Sequence, residues 1–156
     1  MNLTIKQIPN GRWKENAYIV SDINNNAIIL DPGFGEKDII SFIKLNNLNV
    51  SAILNTHAHY DHIGSVKNIK DKFTIPFYLH SKDEKLLKSA NLYSTLFDGI
   101  GSIKIPSVDY YLDQIDREGT TGWSTGNNDK IYHLWFELPI DKDNFLRKIA
   151  ELKLST

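Results

Sequence analysis

An α/β layered domain is the fold that this chain predicts, and three observations carry it. Strand-like and helix-like segments alternate in the order β-α-β-α-β-α over the first two thirds of the sequence. Each short apolar run ends at a turn or a polar loop, as strands of such folds do. The length, 156 residues, suits one domain with its own core.

The elements follow in order. Leu3 to Ile8 alternates apolar and polar residues, the pattern of a half-buried strand, and Gly11 breaks it. Ala17 to Val20 and Ala27 to Leu30 are β-prone runs joined by Asp22-Ile23-Asn24-Asn25-Asn26. That link predicts a hairpin turn, because asparagine tolerates positive φ. Asp31-Pro32-Gly33 then stops the strand. Glu36 to Asn46 carries Ile39, Ile40, Phe42, Ile43 and Leu45 at roughly helical spacing. Val50 to Leu54 is a short apolar strand. Gly64 to Phe73 predicts a helix with Val66, Ile69 and Phe73 on one side, and Phe77-Tyr78-Leu79 predicts another strand. Ser81 and Glu84 have capping-box spacing for a helix that follows.

Beyond Ala90 the pattern is less regular. Asn91 to Gly101 is irregular or a short helix, and Lys104 to Leu112 contains strand-like residues. Gly119 to Asn128 is a loop rich in Gly, Thr, Ser and Asn. Ile131 to Leu138 is β-prone, and Asp141 to Leu154 is amphipathic, with Phe145, Ile149 and Leu152 on one face. No repeat or second domain is visible, so residues 1–156 are expected to form a single domain.

Composition narrows the function classes. A formal net charge of -1 gives no bulk basic field for nucleic acid and no polybasic run for a membrane surface. There is no cysteine, which excludes disulfides, a zinc-thiolate centre and a cysteine nucleophile. The N-terminal residues show no apolar signal region, and no segment approaches the ~20 apolar residues of a membrane span. The expected setting is the cytoplasm and the expected partner a small-molecule substrate.

The chemistry concentrates in Thr56-His57-Ala58-His59-Tyr60-Asp61-His62, which holds three of the five histidines. Imidazole suits zinc and iron, and a carboxylate adds a hard oxygen donor. His57 and His59 are two apart, so on an extended segment they point the same way and can grip one metal. Asp61 and His62 follow at once and can turn to a second metal. Two ions at ~3.5–4 Å share a bridging hydroxide, and zinc-bound water titrates near ~7, so a nucleophile exists at neutral pH. Asp61 is placed to ligate and to orient that hydroxide, which makes it the candidate catalytic residue. The N-terminal dipole of the following helix can help to hold negative charge there.

This heptad resembles the H-x-H-x-D-H signature of the metallo-β-lactamase-fold superfamily. Glu15-Asn16-Ala17-Tyr18-Ile19-Val20 is similar to the early "E-N-x-Y" strand of its glyoxalase II-like (hydroxyacylglutathione hydrolase-like) members. Ile28-Ile29-Leu30-Asp31-Pro32-Gly33 resembles the family's strand-end "D-P-G", and His62-Ile63-Gly64-Ser65 its helix start. The resemblance covers about residues 3–90. It implies an αββα sandwich and one or two metal ions, usually zinc and sometimes iron or manganese. It also implies hydrolysis of a thioester or related ester by a metal-bound hydroxide. By motif, His57 and His59 bind the first metal and Asp61 and His62 the second, while Asp31 supports the site or forms the turn.

The later family motifs are absent: no histidine in "H-T-P-G-H-T", no bridging aspartate in "G-D", no final histidine. The remaining histidines are His80, expected to be structural at a strand end, and His133, a weak third-ligand candidate in a strand-like context. Asp141 and Asp143 read as helix caps. The sandwich is therefore expected to be shortened, with 3–116 family-like and 117–156 a divergent tail. Three explanations fit: loss or replacement of the second half, as by a frame change near Glu118-Gly119-Thr120; a minimal site; or a homodimer that completes the site. The end of the resemblance near residue 116 favours the first. The alternative to an active hydrolase is a metal-binding but catalytically impaired family member.

Overall fold

The computed structural model describes residues 3–112. The expected loop at 119–128, the expected strand at 131–138, the expected helix at 141–154 and the candidates His133, Asp141 and Asp143 lie outside the described residues.

Six strands form one sheet in sequence order: β1 (Thr4–Asn10), β2 (Glu15–Ser21), β3 (Asn26–Leu30), β4 (Asn49–Leu54), β5 (Phe77–Leu79) and β6 (Tyr110–Tyr111). β1, β2 and β3 pair antiparallel, whereas β3 to β6 pair parallel. The asparagine-rich link between β2 and β3 is the expected tight turn, with Asn25 at φ 65°. Asp22 organises it. Its carboxylate accepts from the amides of Asn24 (2.8 Å) and Asn26 (2.9 Å) and from Asn26 Nδ2 (3.0 Å). Asp22→Ala strands these donors, so a loss of about 1–2 kcal/mol is expected. A urea midpoint equal to that of the wild type would rule this out.

The helices are α1 (Glu36–Leu45), α2 (Tyr60–Ile63), α3 (Val66–Phe73) and α4 (Glu84–Asp98). α1 connects β3 to β4, α2 and α3 connect β4 to β5, and α4 connects β5 to β6. Parallel crossovers are right-handed. In a sheet whose strands follow in order, that rule puts every crossover helix on the same face. Strand alternation supplies the apolar surface there. Ile19, Ile29, Ile53, Phe77 and Leu79 pack with Ile39 and Ile43 of α1, Val66 and Ile69 of α3, and Leu87 and Ala90 of α4. The intervening residues Val20, Ile28, Ala52, Leu54 and Tyr78 form a second buried cluster on the opposite face, to which no described helix contributes. One helix layer on one side of a mixed sheet is one half of the αββα sandwich.

Three expected boundaries are corrected. The helix expected from Gly64 starts two residues later, at Val66: Gly64 and Ser65 separate it from α2, which begins inside the histidine cluster. Asp61 and His62 therefore sit on their own helical turn, just ahead of α3. Ser81 does not cap α4. It opens a 3-10 turn, Ser81–Asp83, whose N-cap is His80, with Nδ1 accepting from the amide of Lys82 at 3.1 Å. Finally, Asn91 to Asp98 is neither irregular nor a separate short helix but the second half of α4, which ends at Gly99 in the left-handed region. Asn, Ser and Thr are poor helix formers, yet Leu87, Ala90 and Ser94 make a buried stripe that holds them helical.

Candidate metal centre

In a parallel sheet the loops at the carboxyl ends of the strands gather at one edge. Here Asp31 follows β3, Asn55 to His59 follow β4, and His80 follows β5. β2 runs the other way. Tyr18 pairs with Leu30, so Glu15 at the start of β2 reaches the same edge, beside Gly33.

The four sequence-predicted residues do come together at that edge. The ring of His57 lies 4.5 Å from that of His59 and 4.1 Å from that of His62, centroid to centroid. Asp61 Oδ2 is 4.0 Å from His62 Nε2, and Asp31 Oδ2 is 3.7 Å from His62 Nδ1. His80 caps the 3-10 turn already described. The donors are imidazoles and carboxylates, the set that zinc and iron accept. They do not converge on one point: among the described residues no three His, Asp or Glu are arranged to hold an ion. His62 Nδ1 is buried and has no hydrogen-bond partner among the described residues.

Protons on this loop follow from a relay. The carboxylate of Asp31 accepts from the Thr56 amide (2.8 Å) and from Thr56 Oγ1 (2.7 Å). With its hydroxyl proton given to Asp31, Thr56 Oγ1 can only accept from His57 Nδ1, 2.9 Å away. His57 thus carries its proton on Nδ1 and presents an unprotonated Nε2, the form that ligates a metal. Burial pushes the His57 pKa down, and the neighbouring His62 and His59 add to this, so the ring is neutral at neutral pH. Burial, the largest single influence on His62, acts in the same sense, but Asp31, Asp61 and Glu15 together outweigh it, and its pKa is raised.

Three supports were not singled out as site residues from sequence. Asn55 Nδ2 donates to the carbonyl oxygens of His62 (3.0 Å) and His57 (3.4 Å), so one amide clips both ends of the loop. Its sequence signal was a polar residue directly after an apolar strand. Thr56 lies inside the motif without matching any ligand type. Glu15 is buried, and neither carboxylate oxygen has a hydrogen-bond partner among the described residues. Burial pushes its pKa up, partly offset by the amide dipoles of Glu15 and Phe34. A charged residue opening an otherwise apolar strand was the available hint.

The Asp31-Pro32-Gly33 turn clasps the site from behind. The Gly33 amide donates to the His62 carbonyl (3.0 Å), and the Ser65 amide donates to the Gly33 carbonyl (2.6 Å). On the open side, Asp98 at the end of α4 is a hub. Its carboxylate accepts from Tyr60 Oη (3.0 Å) and Trp13 Nε1 (3.1 Å) and pairs with Arg12 (3.3 Å). This ties the β1–β2 turn and α4 to the helical turn that carries Asp61.

Comparison with known proteins identifies the family. The family described as "Metallo-beta-lactamase superfamily" matches residues 10–126. Among curated relatives, the "Probable metallo-hydrolase YqgX" of Bacillus subtilis is 40% identical over 88 residues, 56% of this chain and 41% of the relative. The "Hydroxyacylglutathione hydrolase GloC" of Haemophilus influenzae is 28% identical over 134 residues, 85% of this chain and 61% of the relative. The matches thus span about half the length of the curated relatives. Among solved structures, the BLEG-1 B3 metallo-beta-lactamase superposes with a TM-score of 0.64 at 38% identity, over 70% of this chain and 53% of that one. TTHA1623 in a di-iron-bound form gives 0.59 at 30% identity, over 66% and 50%.

Proposed function

The chain belongs to the metallo-beta-lactamase superfamily, and from that premise we propose that it is a metal-dependent hydrolase of the glyoxalase II-like kind, acting on a thioester or related ester. The observation that carries this reading is the packing of His57 between His59 and His62 at the carboxyl edge of the sheet. His57 and His59 would hold one ion, and Asp61 and His62 a second. Zinc or iron suits these donors, and the di-iron form of one structural neighbour keeps iron in the choice. When bound, such an ion lowers the pKa of its coordinated water to about 7 and so supplies a nucleophile near neutral pH.

The chain's own residues have separable tasks. Asp31, through Thr56, keeps His57 in the ligating tautomer. Asn55 fixes the span of the loop. Asp61, a carboxylate at the rim, accepts a proton from the attacking water and orients it. The hydroxyacylglutathione hydrolase among the relatives supports a thioester substrate.

A second reading has its own observation. Two histidines fall short of the three protein ligands usual for catalytic zinc, and no described trio is arranged to hold an ion. A protein that binds metal but turns over poorly would show this. Elemental analysis of the purified full chain, paired with thioester hydrolysis, separates the two. The hydrolase reading expects one or two ions per chain and activity that chelation removes. Because bound metal stabilises the native state, chelation should also lower the melting temperature by roughly 5–10 °C. A protein free of metal and indifferent to chelator would defeat both readings. Metal without turnover would leave the second.

A further inference from the structure

A cleft of about 440 Å³ opens beside His59 and Asp61, between the β1–β2 turn and α4. That volume lies in the range of small-molecule sites. Its walls are Trp13, Leu86, Tyr93 and Phe97, with Tyr60 beneath them. No described lysine or arginine lines it. Arg12 at the rim is already paired with Asp98.

We propose that this cleft receives the acyl group of the substrate and selects bulky apolar or aromatic acyl groups over small polar ones. The inference rests on the hydrolase reading and names the substrate class within it. Three features argue for that occupant. The cleft is continuous with the candidate metal centre, since His59 and Asp61 line it, so a carbonyl that reacts at that centre directs its substituent onto the aromatic wall. The described wall is apolar, and among the described residues that line it there is no cation for a carboxylate or phosphate. It is also built in place. Trp13 and Phe97 are 58% and 64% exposed, yet Trp13 Nε1 is held by Tyr60 Oη (3.0 Å) and Asp98, and Phe97 stacks on Tyr93. Side chains fixed before binding lose little entropy when a ligand arrives.

The test uses the full chain with its metal and two probes. Alkyl methyl ketones of four to eight carbons carry the acyl carbonyl and chain but no leaving group, and calorimetry reads their affinity without turnover. Burial of each added methylene should tighten Kd by roughly three- to fourfold. Trp13→Ala and Phe97→Ser should flatten that series. Both residues are largely exposed, and a melting temperature within about 3 °C of the wild type checks that the fold survives. An affinity independent of chain length, or the same slope in both variants, would overturn the proposal. The second probe is hydrolysis of acetyl and octanoyl thioesters of N-acetylcysteamine, for which kcat/KM should favour octanoyl. Hydrolysis with no chain-length preference and a flat ketone series would remove the acyl subsite and keep the hydrolase. A ketone slope with no hydrolysis of either thioester would overturn the acyl assignment together with the hydrolase reading.

Discussion

Asp61→Ala and His57→Ala are each expected to abolish thioester hydrolysis and to reduce bound metal while leaving the fold intact. Asp61 and His57 are only half-buried, and neither belongs to the apolar clusters that hold the sheet and helices together. Their loss should therefore be read in chemistry and not in stability of the metal-free protein. The natural comparison is Thr56→Val. It keeps the volume of Thr56 but breaks the link from Asp31 to His57 Nδ1. Supporting groups of that kind cost ~10–100-fold in metal affinity or activity, and direct ligands should cost more. The expected order is thus wild type, then Thr56→Val, then the two alanine variants, in both kcat/KM and metal retained after dialysis. Hydrolysis at wild-type rates in either alanine variant would remove the proposed roles of His57 and Asp61. A Thr56→Val protein as impaired as Asp61→Ala would instead place the relay on a level with the ligands.

The contrast between motif and support also explains what the sequence made legible. Strands β2 to β5 were visible as short β-prone or apolar runs that end at turns or polar loops, and helix α1 by the roughly helical spacing of Ile39 and Ile43. The histidine cluster was visible because its side chains are contiguous and chemically unusual. What escaped depends on contacts between distant residues. Asn91 to Asp98 is helical because α4 lies against the sheet, and no local propensity announces it. Asp98 meets Tyr60 across 38 positions and Trp13 across 85. Residues of this kind carry no spacing signal, so the aromatic cleft could not be assembled from the chain alone. The short helical turn α2, set off from α3 by Gly64 and Ser65, escaped for a related reason. Gly64 faces Phe34 across the Asp31-Pro32-Gly33 turn, a contact set by the tertiary fold.

Gly33→Ala is expected to be the costliest single-methyl change in the site. Gly33 has φ +53°, where an L side chain costs roughly 1–2 kcal/mol. A Cβ there would also stand 2.5 Å from Glu15 Oε1 and 2.8 Å from the backbone oxygen of Asp61. One of these neighbours is a buried carboxylate, and the other is main chain in the metal-bearing turn, so neither yields cheaply. Overpacking adds about 1–3 kcal/mol, for a total of roughly 2–5 kcal/mol. Gly99→Ala separates the two costs. Gly99 has a similar φ of +61°, but nothing lies within 4 Å of its Cβ position. It should lose only the conformational part, about 1–2 kcal/mol. Urea denaturation of both variants, with metal content measured on the same samples, reads the difference. If the clasp positions the site, Gly33→Ala loses more stability than Gly99→Ala and also loses metal, because the clash pushes on Asp61. Equal stability losses with full metal content in both would mean that the turn only ends a strand, and that Asp61 is held in place by Asn55 and the Tyr60–Asp98 contact instead.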